Sequence, residues 1–79
     1  MKITEKIGLR IKELRIELGY SQQELSYRSD IDRTYITQVE NGKRNISIIN
    51  IEKIAIALGI SMKELFNNEK FNDNTKSNK

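Results

Sequence analysis

Signals that stop and restart α-helices recur along this chain, and they divide a continuous helical pattern into five short pieces. The apolar residues keep helical spacing throughout, and the sequence contains no Pro. Gly and Asp tolerate the left-handed backbone that ends a helix, whereas Ser and Asp side chains cap the start of the next one. The expected stops are Gly19, Asp30, Gly42 and Gly59, and the expected caps are Ser21, Asp32, Ser47 and Ser61. The pattern predicts an all-α fold of five helices.

The expected helix boundaries follow from these signals and from the apolar stripes between them. We expect helices at about residues 4–18, from the cap Ser21 to residues 29–30, from the cap Asp32 to residues 41–42, from the cap Ser47 to Gly59, and from the cap Ser61 to Phe66. Ser21 with Glu24, and Ser61 with Glu64, fit the capping box, in which two residues satisfy each other's free amides. The expected core faces are Ile7, Ile11, Leu14 and Leu18 on the first helix and Ile48, Ile51, Ile54, Ala55 and Leu58 on the fourth.

The size of the chain limits what can stabilise it. Its 79 residues suit one small domain with a marginal core, and the lack of Cys and His removes disulfides and common metal ligands as supports. Dimerisation is therefore the support to look for. Residues 67–79 are polar and aperiodic, so we expect a domain at residues 1–66 and a disordered tail in which Phe71 is the one large apolar residue.

Charge and hydropathy limit the cellular locations and the classes of binding partner that fit this chain. The net charge is +3 and the pI is about 9.3, which is consistent with a nucleic-acid partner but equally with a merely soluble surface. No apolar run approaches the roughly 20 residues of a membrane span, and the N-terminal residues lack the core of a signal peptide. We expect a soluble, cytoplasmic protein without a membrane partner.

The third helix carries an unusual polar face. Thr34, Thr37, Gln38 and Asn41 follow the i, i+3, i+4, i+7 spacing, with Arg33 beside them. Thr and Asn are poorer helix formers than Glu and Lys, so local stability does not explain the choice. Binding to duplex DNA would explain the choice, because Arg forms two hydrogen bonds with guanine, Gln pairs with adenine, and a Thr methyl contacts the methyl of thymine. The alternative is an exposed polar helix without any partner.

A resemblance to a known family favours DNA. SQQELSYRSDIDRTYITQVENG, from Ser21 to Gly42, resembles the Cro/repressor-type helix-turn-helix regulators, and the likeness extends over residues 7–66. Two positions depart from the family pattern, with Ser26 where a small Ala is usual and Asp30 where Gly is usual. Within the family, DRTYIT and ENGKRN are most similar to the controller proteins of restriction–modification systems. That resemblance implies a dimer that binds a palindromic operator and regulates its own gene and the endonuclease gene.

The resemblance and the helical face together assign roles to individual residues. The expected base-reading residues are Arg33, Thr34, Thr37 and Gln38. The expected contacts with the DNA backbone are Gln22, Tyr35, Asn41, Lys43, Arg44 and Asn45. The resemblance also implies an ion pair between Arg15 and Glu40 that serves the fold; two separate surface charges are the alternative.

A second surface is expected to join two copies of the chain. Ile49 and Ile56 lie seven residues apart on the fourth helix, where the family usually has polar residues. The expected interface is Ile49, Ile56, Ile60, Met62, Leu65 and Phe66. The alternative is that these residues fill a loose core. Leu9 and Ile16 form a smaller stripe without an assigned role.

Other functions fit less well. Without His or Cys, and with acidic residues scattered over helices, the sequence favours neither an enzyme nor a cofactor, metal or small-molecule site. RNA polymerase enters as a partner only by resemblance, since activating relatives carry acidic residues on the second helix, where this chain exposes Gln23 and Tyr27. The rival functions are a phage-type repressor and an antitoxin-like module that binds a protein through its isoleucine face.

Overall fold

Five α-helices and a terminal 3₁₀ turn make up residues 1–72, the part of the chain that this computed structural model describes. The helices are α1 (Ile3–Glu17), α2 (Gln22–Ser29), α3 (Arg33–Glu40), α4 (Ile48–Leu58) and α5 (Met62–Phe66), and the 3₁₀ turn is Glu69–Phe71. No strand occurs among these residues, so the prediction of an all-α, five-helix fold is confirmed. None of the helices is long and apolar enough to cross a membrane.

The predicted caps and stops form the helix ends. The hydroxyls of Ser21, Ser47 and Ser61 each accept a backbone N–H from three residues further on. The capping box of Ser61 and Glu64 is complete. The box predicted for Ser21 is only half formed, because the Glu24 carboxylate accepts a hydrogen bond from Arg28 Nε at 2.7 Å instead of returning to the cap.

The turn between α2 and α3 accommodates both departures from the family pattern. Asp30 has φ 56° and ψ 40°, the left-handed conformation in which the family places Gly. The hydroxyl of Ser26 donates a hydrogen bond across the turn to the carbonyl oxygen of Ile31, at 2.5 Å. The helix-turn-helix geometry is therefore kept with one non-glycine residue in a conformation that disfavours side chains.

One core draws on all five helices. Its buried side chains are Ile7, Ile11, Leu25, Ile31, Ile36, Val39, Ile51, Ile54, Ala55, Leu58 and Leu65. The prediction of burial is wrong for two residues. Ile48 is 67% exposed in the first turn of α4, and Leu18 is 47% exposed because α1 ends before it. Leu65, predicted for the dimer surface, is wholly buried in this core.

A glycine allows α1 to cross α3 closely. A Cβ added to Gly8 would collide with the backbone carbonyl oxygen of Val39. The close approach puts the N-terminal half of α1 directly behind the C-terminal end of α3. The helix α3 is thus supported along its buried side by backbone as well as by side chains.

The folded unit continues beyond α5. Phe71 packs edge-on against Phe66, with ring centroids 5.0 Å apart, and Lys70 Nζ lies 2.7 Å from the carboxylate of Glu13 on α1. The expectation of disorder from residue 67 onward is therefore wrong for residues 67–72, because one aromatic side chain and one ion pair dock this turn. The remaining residues of the predicted tail, 73–79, lie outside the described part of the chain.

Candidate DNA interface

The third helix is fixed on one side and open on the other. Ile36 and Val39 are 0% and 1% exposed, and they hold α3 in the core. Arg33 and Thr34, in the first turn, are exposed, whereas Thr37 and Gln38 are half-buried. Asp32 caps this end by accepting the N–H of Thr34 at 3.0 Å. The base-reading side chains predicted from the sequence thus share one surface of a firmly anchored helix.

The end of α3 is tied to α1 by a buried ion pair. Arg15 Nε lies 2.7 Å from Glu40 Oε2, and Arg15 Nη2 lies 2.9 Å from Glu40 Oε1, a two-pronged contact. Arg15 Nη1 also donates to the carbonyl oxygen of Tyr20. The hydrogen bond with Glu40 raises the pKa of Arg15 above its ordinary value, although burial opposes the rise. The structure therefore contains the ion pair that the resemblance implied.

Gln22 connects this pair with the polar face of α3. Its Nε2 donates to Glu40 Oε1 at 3.0 Å, and its Oε1 accepts the hydroxyl hydrogen of Thr37 at 2.8 Å. The same hydroxyl lies 3.0 Å from the carbonyl oxygen of Arg33. A hydroxyl has one hydrogen to donate, so that of Thr37 is used within the protein. One amide hydrogen of Gln22 remains for another acceptor.

A second contact fixes the loop after α3. The guanidinium carbon of Arg44 lies 4.4 Å from the centroid of the Tyr35 ring, and Arg44 Nη1 donates to Gln38 Oε1 at 2.9 Å. The Tyr35 hydroxyl accepts the backbone N–H of Ser47, at the start of α4, at 3.3 Å. Tyr35 and Arg44, both predicted to contact the DNA backbone, therefore contact each other, and Arg44 also contacts Gln38, which was predicted to read bases.

The surroundings of the Tyr35 phenol act on its pKa in opposing directions. Burial raises its pKa, but hydrogen bonds with Asn50 and Ser47 and the positive charge of Arg44 outweigh burial, so the pKa lies below its ordinary value. The phenol hydroxyl thus accepts the N–H of Ser47 while the guanidinium of Arg44 lies over its ring. Its involvement with the start of α4 had no signal in the sequence, because Tyr35 and Ser47 belong to different helical patterns.

The other residues predicted for the DNA backbone flank this surface. Asn41, Lys43 and Asn45 are exposed in the segment between α3 and α4. On α2, Gln23 and Tyr27 are exposed, and the acidic residue Glu24 forms an ion pair with Arg28. Among residues 1–72 no group of His, Cys, Asp and Glu is arranged to hold a metal ion.

An apolar surface lies on α4 and α5. Ile49 is 66% exposed and Ile56 is 70% exposed, and the two lie seven residues apart on α4. Ile60, Met62 and Phe66 are half-buried and pack against the core from outside. Of the six residues predicted for a dimer interface, only Leu65 has no solvent-exposed surface.

A contact that the sequence did not reveal secures α5. Arg10 of α1 donates from Nε to the carbonyl oxygen of Leu65 and from Nη2 to that of Glu64, both at 2.8 Å. Both carbonyl groups lie in the last turn of α5, and that of Glu64 also accepts the N–H of Asn67. No periodic pattern connects residues 55 positions apart, so only the folded chain shows that Arg10 fixes the helix beside the apolar surface.

Several known proteins are similar to this chain in both sequence and fold. Residues 11–65 match the helix-turn-helix family HTH_3. The control protein C.MunI from a Mycoplasma species is 47% identical over 62 residues, which are 77% of this chain and 84% of that protein. The structure of the restriction–modification controller protein C.AhdI from Aeromonas hydrophila superimposes with a TM-score of 0.77 and 48% identity, covering 80% of this chain and 96% of that one.

A further solved structure contains DNA. The restriction–modification controller protein C.Esp1396I, as a tetramer in complex with its natural 35 base-pair operator, is 36% identical, with a TM-score of 0.79 over 84% of this chain and 87% of that one. Each of these relatives is a control or controller protein. The chain therefore belongs to the helix-turn-helix family of DNA-binding transcription regulators, in the group that includes the restriction–modification controller proteins.

Proposed function

We propose that this protein binds a palindromic operator as a homodimer and acts as the controller of a restriction–modification system, regulating its own gene and the endonuclease gene. The observation that carries the proposal is the open, non-acidic face of α3 on a helix whose other face is locked by the core and by the Arg15–Glu40 pair. A rigid helix with an exposed polar head is what reading of the major groove requires. Operator binding would place the protein in the bacterial cytoplasm.

Base reading is assigned to the face of α3. Arg33 and Thr34 are exposed at its head, where their donors can reach base edges. Gln38 lies one turn further along. The hydroxyl of Thr37 is already used by Gln22, so its contribution to reading would come through its methyl group, against the methyl of thymine.

Contacts with the DNA backbone are assigned to side chains around that face. Gln22 keeps one amide hydrogen for a phosphate while its other groups hold α3 in place. Tyr35, Asn41, Lys43, Arg44 and Asn45 complete the proposed set. Glu24 is occupied by Arg28, so α2 gives no support for a contact with RNA polymerase.

Dimerisation is assigned to the apolar surface formed by Ile49, Ile56, Ile60, Met62 and Phe66. A lone chain would leave the two most exposed of these isoleucines in water, and a two-fold axis beside them would bury both from each copy. The multimeric complex of C.Esp1396I with its operator supports an assembly of several chains on DNA. We assign both activities to the domain at residues 1–66, against which residues 67–72 pack.

Salt dependence tests whether DNA is the partner. Binding to duplex DNA should weaken steeply as salt rises, because each neutralised phosphate releases condensed counterions. Replacing Lys43 by Ala removes one phosphate contact per protomer, so the slope of log K against log salt should become shallower by about 2 per dimer. Lys53→Ala, an exposed lysine on α4, is the matched control and should leave the slope unchanged.

The same titration separates the proposal from its main rival. An antitoxin-like module that binds a protein through the isoleucine surface would show at most weak DNA binding, with no change of slope in Lys43→Ala. That result would remove DNA recognition as the principal function and would leave only the fold.

A further inference from the structure

Arg44 is less free than its place in an exposed loop suggests. Its guanidinium lies over the ring of Tyr35, and one of its N–H groups donates to Gln38 Oε1. Tyr35 is itself held, since its ring packs against the core and its hydroxyl accepts the N–H of Ser47. A cation stacked on an aromatic ring gains about 0.5–1 kcal/mol at an exposed site. The three side chains therefore form one unit, with the core-packed tyrosine as its base.

The chemistry of this unit determines which end of the Gln38 amide faces outward. A guanidinium has N–H donors and no acceptor, so only the amide oxygen of Gln38 can face Arg44. The amide nitrogen, with two donor hydrogens, is left for other partners. An unconstrained Gln pairs with adenine by accepting from N6 and donating to N7 at once, which needs both ends of the amide. A Gln whose oxygen is engaged presents donors only.

We propose that Arg44 is a positioning residue for specificity: held on Tyr35, it turns the Gln38 amide so that α3 reads guanine in preference to adenine at the base pair facing Gln38. Guanine offers two acceptors, O6 and N7, in the major groove, which match two amide hydrogens. The inference rests on the proposed function, because it requires α3 to lie in that groove. The remaining N–H groups of Arg44 stay available for a phosphate, so positioning and backbone contact are compatible.

Removal of Arg44 should change the base that is preferred, as well as the affinity. In Arg44→Ala the amide of Gln38 can rotate and pair with adenine at both ends. The ratio of guanine to adenine at that base pair should then fall by about tenfold, within the range of discrimination given by one bidentate contact. A residue that touches only phosphate would instead weaken binding to all sequences alike.

The experiment is a selection of bound duplexes from a random DNA library, run in parallel with the native protein and five variants. Gln38→Ala identifies the base pair that Gln38 reads, because the preference there relaxes. Arg44→Ala tests the shift, and the double variant asks whether that shift needs Gln38. Arg44→Lys keeps the charge but lacks the planar group that stacks on the ring.

Arg28→Ala is the matched control. Arg28 also stacks on a tyrosine, with its guanidinium carbon 4.4 Å from the Tyr20 ring centroid, and also has a side-chain partner, Glu24. It contacts no side chain of the proposed reading face. The control therefore removes an equivalent arginine and should leave the base preference unchanged. Thermal unfolding of each variant verifies that it is folded.

The outcomes separate this inference from the proposed function. A shift from guanine to adenine in Arg44→Ala and Arg44→Lys, absent when Gln38 is also Ala, would support the inference. An enriched motif whose preference at that pair is the same in native protein and Arg44→Ala, with lower affinity throughout, would overturn it and leave the proposed function standing. Adenine preferred by the native protein would also overturn it. If the native protein enriches no motif, both the proposed function and the inference fail.

Discussion

At the scale of single residues, a network that is buried at the Arg15–Glu40 pair and partly buried beyond it sets the position of α3. Arg15 and Glu40 join α1 to α3, Gln22 binds Glu40, and Thr37 binds Gln22. The ion pair could be anticipated only through the family resemblance, because residues 25 positions apart belong to no common helical pattern. The role of Gln22 as the link between the pair and α3 was not anticipated, since the sequence marks Gln22 only as a phosphate ligand.

Loss of one member of the ion pair should be costly. In Glu40→Ala the guanidinium of Arg15 stays largely buried without its carboxylate, and breaking a buried pair in this way destabilises by about 3–5 kcal/mol. Urea unfolding monitored by circular dichroism measures the change. Arg28→Ala, which breaks the exposed pair with Glu24, is the control and should cost about 1 kcal/mol or less.

Replacing both members of the ion pair separates its effect on stability from its effect on DNA binding. Arg15→Met together with Glu40→Leu leaves no buried charge and should recover much of the lost stability. It also removes the anchor of Gln22, so specific DNA binding should remain impaired. Equal losses in the single and double variants would show that the buried charge is not the source of the destabilisation.

At the scale of helices, local signals predicted the ends well and tertiary packing less well. Caps such as Ser47 act within one turn of the chain, so their effect can be read from the sequence. Ile48 was predicted to be buried and is exposed, whereas Leu65 was predicted for the dimer surface and is buried. Helical periodicity shows which residues share a face of a helix but not which part of the protein packs against that face. The close crossing at Gly8 had no sequence signal, since a glycine within a helix differs from others only through its neighbours in space.

The left-handed residue at the end of α2 should limit stability. Asp30 has φ 56°, which disfavours a side chain, and its negative charge lies at a helix C-terminus, where the helix dipole opposes it. Asp30→Gly should therefore raise the free energy of unfolding by about 1 kcal/mol. Asp30→Asn keeps the side chain and removes the charge, so it should recover only the dipole contribution, about 0.3–1 kcal/mol. A loss of stability in both variants would mean that the carboxylate makes a stabilising interaction.

At the scale of the whole molecule, the chain presents two surfaces with different chemistry. The polar face of α3 and the loop after it suit DNA, and the isoleucine surface of α4 and α5 suits a second copy of the chain. The sequence predicted both surfaces because each departs from what a solvated helix normally shows. A dimer would place two recognition helices on one side of the duplex, with half-sites about 34–36 Å apart.

Charges placed in the isoleucine surface should yield monomers that remain folded. Ile49 and Ile56 lie outside the core, so Ile49→Asp with Ile56→Asp should leave the helical content unchanged while preventing association. Sedimentation equilibrium gives the mass, and circular dichroism gives the fold. Ile16→Asp is the control, because Ile16 is 57% exposed on α1, outside the proposed interface. A double variant that sediments with the native mass would exclude this surface as the interface.

Selection from a random duplex library, with the native protein beside Arg33→Ala, tests whether a dimer of this chain reads DNA through the head of α3. The native protein should enrich a motif with two-fold symmetry. Arg33→Ala should remain folded, lose about 1–3 kcal/mol of specific binding, and relax the preference at one base pair in each half-site. A single, asymmetric half-site would contradict the dimer. An identical motif from both proteins would contradict base reading by Arg33, and with it the account of how this helix is used.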